Sequence, residues 1–383
     1  MIEITEKKDC CGCYACIQVC PRHSITMSVD EEGFDYPSVD TGTCINCGLC
    51  NKVCPQGTTS VTSLPLLCLA TKHNSKDVQL ESSSGGAFSQ MAEQVLLSGG
   101  VVFGAAFDNE WNVVHRFVES VDELYKLRMS KYVQSRIGNA YREAENFLKT
   151  DRNVLFAGTP CQVKGLKLFL RKEYKNLLTV DFVCHGVPSH LAWKTYLNEV
   201  VNKGSNDSLG RKIQRIQFRN KCFGWEKFSF VLRYKKENAE KEISETLLEN
   251  PYLRGFIHDL YLRYSCYYCN NKSFRSGSDI TMCDFWGVKR TYPDLYDSKG
   301  LSGVTINTKH GAKFVEQLSW NKSEVSYQNL LKYNPSFEHS VSLPPFREYF
   351  FKCTHYIPFK YSVFIGLTYN KVFRILKNFI SVR

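Results

Sequence analysis

Two stretches of the chain carry cysteines at matching intervals. In "CCGCYACIQVCP" (residues 10–21), Cys10, Cys13, Cys16 and Cys20 follow the spacing C-x2-C-x2-C-x3-C and are closed by Pro21; Cys11 falls off the rhythm. In "CINCGLCNKVCP" (residues 44–55), Cys44, Cys47, Cys50 and Cys54 repeat the spacing and are closed by Pro55. C-x2-C-x2-C winds the backbone round three corners of an iron–sulfur cube, with Gly12 and Gly48 easing the tight turns. The fourth cysteine, just before proline, points away and ligates the other cluster of a two-cluster domain. The expected sets are therefore crossed. Cys10, Cys13, Cys16 and Cys54 hold one 4Fe-4S cluster, and Cys44, Cys47, Cys50 and Cys20 hold a second. Structural zinc usually takes two C-x2-C pairs and has no use for the third cysteine or the proline.

Four more cysteines occupy telling places. Cys161 follows the apolar run "NVLFAG", Cys184 ends "LLTVDFVC", and Cys266 and Cys269 form a C-x2-C in "RYSCYYC". In a parallel sheet the carboxyl ends of neighbouring strands share one crevice. Cys161 also opens a helix, where free N–H groups and the helix dipole favour a thiolate. The C-x2-C pair can supply two further corners of a third metal site; the alternative is that these cysteines, like Cys68, Cys222, Cys283 and Cys353, only pack. "ESSSGGAF" is a Gly-rich loop opening a helix, either a cradle for a phosphate or a plain turn with its cap. No G-x-G-x-x-G follows a first strand, so no nicotinamide site is expected.

The elements that would position these residues fall into two regimes. Residues 1–62 are cysteine-rich with short strand-like pieces ("SITMSV", "GFDYPSVD"), and "VTSLPLL" reads as a linker. From about 70, apolar strands alternate with helices. "AFSQMAEQVLLSG", "GNAYREAENFLKT", "QVKGLKLFLRKEY" and "HLAWKTYLNEVV" read as helices; "VVFGAAF", "WNVVHRFV", "NVLFAG" and "LLTVDFVC" read as strands. That alternation implies βαβ units and a parallel sheet. "KIQRIQFRN" and "KFSFVLRY" suggest a hairpin. "PYLRGFIHDLYLRY" suggests a helix with Pro251 in its first turn, and "SDITMCDFWG" and "GVTINTKH" suggest later strands. The expected fold class is α/β: an α+β ferredoxin-like domain over 1–62, a mixed, partly parallel α/β domain over 66–320, and a C-terminal extension over 321–383.

With 383 residues and 43% hydrophobic content the chain has enough apolar side chain for a substantial core. It has no apolar run of membrane-spanning length, and "MIEITEKKDC" shows no signal segment, so a cytoplasmic location is expected. Seventeen cysteines in a reducing compartment then point to metal or redox chemistry before disulfides. The formal charge is +11, but each cluster with its four thiolates carries about −2, so three clusters leave about +5. Nucleic acid is therefore not an expected partner. The basic, aromatic end "YNKVFRILKNFISVR" reads as a terminal helix packed on its own domain or one lying on a membrane surface.

Residues 1–60 resemble a bacterial-type two-cluster ferredoxin domain. The segments "ESSSGGAFSQMAEQVLLSGGVVFGAAF", "KYVQSRIGNAY", "VLFAGTPCQVKGLK", "VDFVCHGVPS", "FRNKCFGWEKFSF" and "RYSCYYCNNKSFRSGSDITMCDFWG", in that order, resemble the family of the coenzyme F-420-reducing hydrogenase beta subunit and its dehydrogenase relatives. The resemblance runs from about 66 to 310. It implies FAD and a further 4Fe-4S cluster, whose cysteines map onto Cys161, Cys184, Cys266 and Cys269. Cys283 stands where relatives commonly have a small residue and is not counted. The resemblance also places the FAD pyrophosphate near Ser83, Ser84, Gly85 and Gly86. Lys131 and Gln134 then serve as partners for phosphate or for the flavin ring. His185, beside Cys184, is a proton donor to a substrate near the flavin, or else a structural hydrogen bond at a strand end.

The expected function is an iron–sulfur flavoprotein oxidoreductase. It would pass electrons between the ferredoxin clusters and FAD to reduce, or oxidise, an organic substrate or a deazaflavin-like coenzyme, with a redox donor or acceptor protein as partner. The alternative is a non-catalytic electron-transfer subunit serving a partner enzyme, with clusters and no flavin.

Overall fold

The computed structural model describes residues 1–58, 62–202, 212–236 and 239–381. The opening unit is built on a single antiparallel hairpin, β1 (Ile25–Val29) against β2 (Asp35–Val39), with Ile25 opposite Val39. Each cysteine stretch supplies one short helix, Ala15–Val19 and Leu49–Lys52. The two stretches repeat in conformation as well as spacing. The residue before the second cysteine of each is left-handed (Gly12 φ 64, Asn46 φ 51), and so is the residue after it (Tyr14 φ 64, Gly48 φ 73). Glycine was expected to serve both turns, and each turn in fact uses one glycine and one residue with a side chain. A left-handed tyrosine costs about 1–2 kcal/mol. Tyr14 is held there by its hydroxyl, which donates to Asp35 Oδ2 at 2.6 Å.

Beyond it stand two sheets. The larger has eight strands: β3 (Leu67–Lys72), β4 (Val101–Phe107), β5 (Val113–Val118), β6 (Val154–Gly158), β7 (Leu177–Phe182), β11 (Ile280–Asp284), β12 (Ser302–Ile306) and β13 (Asn321–Glu324). Their spatial order is β13-β3-β12-β11-β7-β6-β4-β5. The four central strands β4, β6, β7 and β11 run parallel, and the outer pairings are antiparallel. The parallel centre reads as continuous apolar sequence because helices cover both faces; every residue of β6 is buried. The smaller sheet is antiparallel, in the order β10-β9-β8: β8 (Ile213–Asn220), β9 (Ser229–Lys236) and β10 (Ala239–Thr246). The α/β class, partly parallel, is the one expected.

Several expectations need correction. The linker reading of "VTSLPLL" stops short: residues 59–61 lie outside the described residues, 62–66 form no regular element, and Leu67 already begins β3. The expected hairpin gains a third strand, β10, whose "AEKEISET" is too polar to announce itself. The helix expected over 251–264 ends at Ile257, because Asp259 turns left-handed (φ 65) and reverses the chain. The residues from 321 onward are not an appendage. Asn321–Glu324 forms an edge of the large sheet. Farther on, Arg347 is fully buried and makes a bidentate pair with Glu32 of the opening unit, at 2.5 and 2.7 Å. The chain closes on the helix Phe359–Ser381, which buries Phe359 and Val363 and exposes Tyr361, Phe364 and Val372. Among the described residues no helix is long and apolar enough to cross a membrane.

Candidate iron–sulfur and flavin sites

The hairpin and the two short helices bring the eight N-terminal cysteines into two groups. Cys20, Cys44, Cys47 and Cys50 line one shallow cleft, walled by Met1, Ile25 and Val39. Cys47 is exposed, and Cys20 and Cys44 are half-buried, so this group faces solvent. The Ile2 N–H donates to Cys50 Sγ at 3.2 Å. The other group is more deeply set. Cys10, Cys13 and Cys16 are buried, and Cys54 is half-buried. Burial pushes the Cys16 thiol up to about 12, and the nearby Cys10 and Cys54 sulfurs add to it. Burial likewise raises Cys54, with Cys10 contributing. Cys10, Cys16 and Cys54 are therefore close neighbours in the fold.

The third group is assembled from distant parts of the chain. Gly158 of β6 stands beside Asp181 of β7 in the parallel register, so the residues following these strands meet at one sheet edge. Cys161 sits in the first turn of the helix Pro160–Leu170, which is capped by Thr159 and Gln162. Its sulfur lies 3.1 Å from Thr159 Oγ1. Cys184 follows β7 after one residue, and Lys272 Nζ donates to its carbonyl oxygen. Cys266 closes a short turn, Tyr264–Cys266, and receives the Val187 N–H at 3.4 Å. The Cys269 N–H is held by Ser340 Oγ at 3.1 Å. Burial pushes Cys184 up to about 12; Lys272 opposes that rise, while the sulfurs of Cys161 and Cys269 add to it. Cys266 is raised by burial and by Cys184, Cys269 and Cys161. Sequence spacing left this site open, and the fold does bring its four cysteines together.

Thiols that raise one another's pKa in apolar surroundings ionise together only around positive charge. A cluster iron core would supply that charge. Among the described residues no group of three or more His, Cys, Asp or Glu side chains is arranged to hold a metal ion.

Cys11, set aside from the repeat, links two of the groups. Its thiol lies beside those of Cys13 and Cys161: the Cys13 thiol and burial push it up, and the Cys161 thiol opposes that rise. The Cys11 thiol, and then burial, push Cys161 up. A Cβ placed on Gly165, one turn along the Cys161 helix, would stand 3.2 Å from Cys13 Sγ. Glycine there lets the helix lie against the ferredoxin loop.

The Gly-rich turn packs tightly on the large sheet. The Gly85 N–H donates to Ser302 Oγ at 2.9 Å, and Ser84 Oγ donates to the Leu301 carbonyl at 2.8 Å. A Cβ on Gly85 would lie 2.6 Å from the Ser302 nitrogen, so close approach requires the glycine. Gly86 (φ 95) then caps the helix Ala87–Leu97. Ser83 Oγ accepts the Ser130 N–H at 2.7 Å, which sets Lys131 beside this turn. Lys131 Nζ donates to the Lys126 and Arg128 carbonyls at 3.1 and 2.7 Å, and burial lowers its pKa to about 7. Gln134 does not join this group. Its amide donates to the Cys11 carbonyl at 3.0 Å and accepts from Arg263 at 3.1 Å, on the ferredoxin side. His185 Nε2 lies 2.7 Å from Asp259 Oδ1, with its ring edge-on to Phe256. The left-handed turn at Asp259 leaves its carboxylate beside the histidine without a hydrogen bond between them.

Sequence reasoning missed a wall next to these residues. Arg219 pairs with both oxygens of Asp284 at 2.9 and 3.0 Å, and lies between Phe228 and Trp286, 4.1 and 5.2 Å from the ring centres. Trp225 donates to Asp284 at 2.8 Å and stacks on Trp286. Lys221 Nζ donates to the Ser84 carbonyl at 2.6 Å, tying this wall to the Gly-rich turn. The only signal in the sequence was the run of charged and aromatic letters in "FRNKCFGW" and "DFWG".

Comparison with known proteins agrees with this division. Residues 9–58 match the 4Fe-4S dicluster domain. Residues 151–327, which include Cys161, Cys184, Cys266 and Cys269 but not the Gly-rich turn or Lys131, match the C-terminal region of the coenzyme F420 hydrogenase/dehydrogenase beta subunit. The coenzyme F420-dependent sulfite reductase of Methanocaldococcus jannaschii is 26% identical over 193 residues, covering 42% of this chain and 30% of that protein. An uncharacterised ferredoxin of the same organism is 36% identical over 52 residues, 14% of this chain and 66% of that protein. The chain thus spans about a third of the length of the first relative and about two thirds of the second. A solved structure from the F420-reducing NiFe hydrogenase complex of Methanosarcina barkeri is similar at 16% identity and a TM-score of 0.48, covering 72% of this chain and 90% of that one. The chain thus carries a segment that matches the 4Fe-4S dicluster domain, followed by one that matches the C-terminal region of the coenzyme F420 hydrogenase/dehydrogenase beta subunit.

Proposed function

We propose that the chain is a cytoplasmic iron–sulfur flavoprotein oxidoreductase with three 4Fe-4S clusters and one FAD. A redox partner protein delivers single electrons at the solvent-facing set of Cys20, Cys44, Cys47 and Cys50. Cys10, Cys13, Cys16 and Cys54 would hold the next cluster, and Cys161, Cys184, Cys266 and Cys269 a third, so that the bound clusters would supply one-electron steps toward the sheet edge. FAD at the sheet edge, when bound, converts single electrons into the pair that an organic substrate takes. That substrate is a small molecule or a deazaflavin-like coenzyme, the class named for the relatives, and the direction can be reversed. Ser83, Ser84, Gly86 and Lys131 hold the phosphates, and His185, oriented by Asp259, moves the proton. The observation that carries this reading is contiguity: the helix that bears Cys161 packs at Gly165 against Cys13, where an added Cβ would stand 3.2 Å from the Cys13 sulfur, so two cysteine sets from different parts of the chain adjoin.

One observation favours a second reading. The Gly85 N–H is already committed to Ser302 Oγ, which removes one donor from the phosphate cradle. On that reading the chain is a non-catalytic electron-transfer subunit without flavin. Anaerobic reconstitution with FAD, followed by desalting and flavin quantification, separates the two. About one FAD per chain supports the flavoenzyme. Full cluster iron with no retained flavin supports the electron-transfer role.

A further inference from the structure

Arg263 is a buried cation, 1% exposed, at the junction of the two cysteine regions. Its guanidinium donates to the Cys10 carbonyl (2.7 Å), Gln134 Oε1 (3.1 Å), the Asp35 carbonyl (2.9 Å) and Cys10 Sγ (3.4 Å). The Tyr36 ring lies under it, 4.4 Å from the carbon to the ring centre. A Cβ on Gly12 would stand 2.7 Å from its Nη1, so the cysteine loop lies directly against it. None of these partners is a carboxylate. The Asp35 carboxylate is taken by Arg136 at 2.9 Å and by Tyr14 at 2.6 Å. A buried guanidinium without a counter-charge is costly. The groups around it that can carry negative charge are the Cys10, Cys11 and Cys266 thiols and Tyr36. Arg263 also stands three residues before Cys266, on the turn that positions that ligand.

We propose that Arg263 is the fixed counter-ion of the cluster on Cys10, Cys13, Cys16 and Cys54, raising its reduction potential above that of the solvent-facing cluster and so directing electrons toward the sheet edge. Reduction adds one negative charge to a cluster, with no bond made or broken. A positive charge in a low-dielectric interior, hydrogen-bonded to a ligating sulfur, stabilises the reduced form more than the oxidised one. The solvent-facing set stands in a different environment: its Cys47 is exposed to water. Two clusters with the same four-thiolate ligation are thereby separated in potential. Each electron leaves the reduced outer cluster and reduces the inner one. Arg263 is a positioning residue in this scheme, acting through Cys10. The inference rests on the crossed ligand sets of the ferredoxin unit.

The test is a redox titration of the full chain, reconstituted anaerobically and followed by electron paramagnetic resonance, for wild type, Arg263→Gln and Arg263→Lys. Iron is counted first. Fewer than about eight irons per wild-type chain overturns the cluster reading and this proposal with it. With iron intact, Arg263→Gln is expected to move the higher ferredoxin wave to more negative potential and leave the lower wave in place. Arg263→Lys is expected to keep most of the separation. Unmoved waves in Arg263→Gln, or an equal shift of all waves, overturn the proposal while the ligand sets stand. So does a shift in Arg263→Lys as large as in Arg263→Gln, since charge would not be the cause. Where Arg263→Gln fails to hold iron, the lysine variant decides: full iron with separated waves supports the counter-ion, and loss of iron there overturns it.

Discussion

Eight of the nine cysteines between residues 10 and 54 follow the repeat and are gathered by two short turns and one hairpin; Cys161, Cys184, Cys266 and Cys269 are gathered by a sheet edge and a loop. In the first region the backbone does the gathering. Gly12, Tyr14, Asn46 and Gly48 are all left-handed, so each turn is bent by its own residues. In the second region nothing local brings Cys161 to Cys266. Their approach depends on the parallel register of β6 and β7, on the cap at Thr159 and on the chain reversal at Asp259. A local site tolerates damage elsewhere in the fold, whereas a dispersed site shares the fate of its sheet. The two regions are also bolted together, by Arg263 on the Cys10 loop and by Arg347 on Glu32.

The comparison is broken most severely at the dispersed site. Cys161→Ser is expected to remove about a third of the iron, roughly four atoms per chain, while the ferredoxin clusters remain. Iron and sulfide analysis beside the wild type checks this, and unchanged iron would remove Cys161 from the ligand set. A middle-sized effect is expected at the bolt. Arg347→Met leaves the Glu32 carboxylate in a buried site without its partner, which costs about 3–5 kcal/mol. Lys7, 3.7 Å from Glu32, recovers part of that. Denaturant unfolding under anaerobic conditions reads the loss; a shift below about 1 kcal/mol would mean the pair is not what joins the units. The smallest effect is expected at Cys11→Ser. Cys11 lies beside Cys13 and Cys161 but outside the repeat, so iron content should not change. Loss of a whole cluster would show that Cys11, rather than Cys10, is a ligand.

The same contrast explains what was legible. The two-cluster ferredoxin unit could be read directly, because the cysteine spacing there is a property of a dozen residues. Cys161 and Cys184 could be placed at one edge because strand ends in a parallel sheet obey a general rule. β3 was hidden because Pro65 and the polar residues before it made the segment look like a linker. β10 was hidden because its alternation of Lys and Glu carries no buried face; most of it is exposed. Arg263 could not be found at all. Its partner Cys10 is 253 residues away, and nothing in "LRYSC" distinguishes a buried counter-ion from a surface arginine. Gln134 was expected at the flavin for a related reason: it is three residues from Lys131, but the chain turns its amide to the opposite side, onto Cys11.

The central claim is that the dispersed cysteines hold a third cluster beside the two of the ferredoxin unit. Iron and acid-labile sulfide per chain, measured on anaerobically purified wild-type protein, test it most directly. The account predicts about twelve of each. About eight of each, with the ferredoxin signals complete, would contradict it and leave the sheet-edge cysteines as packing thiols.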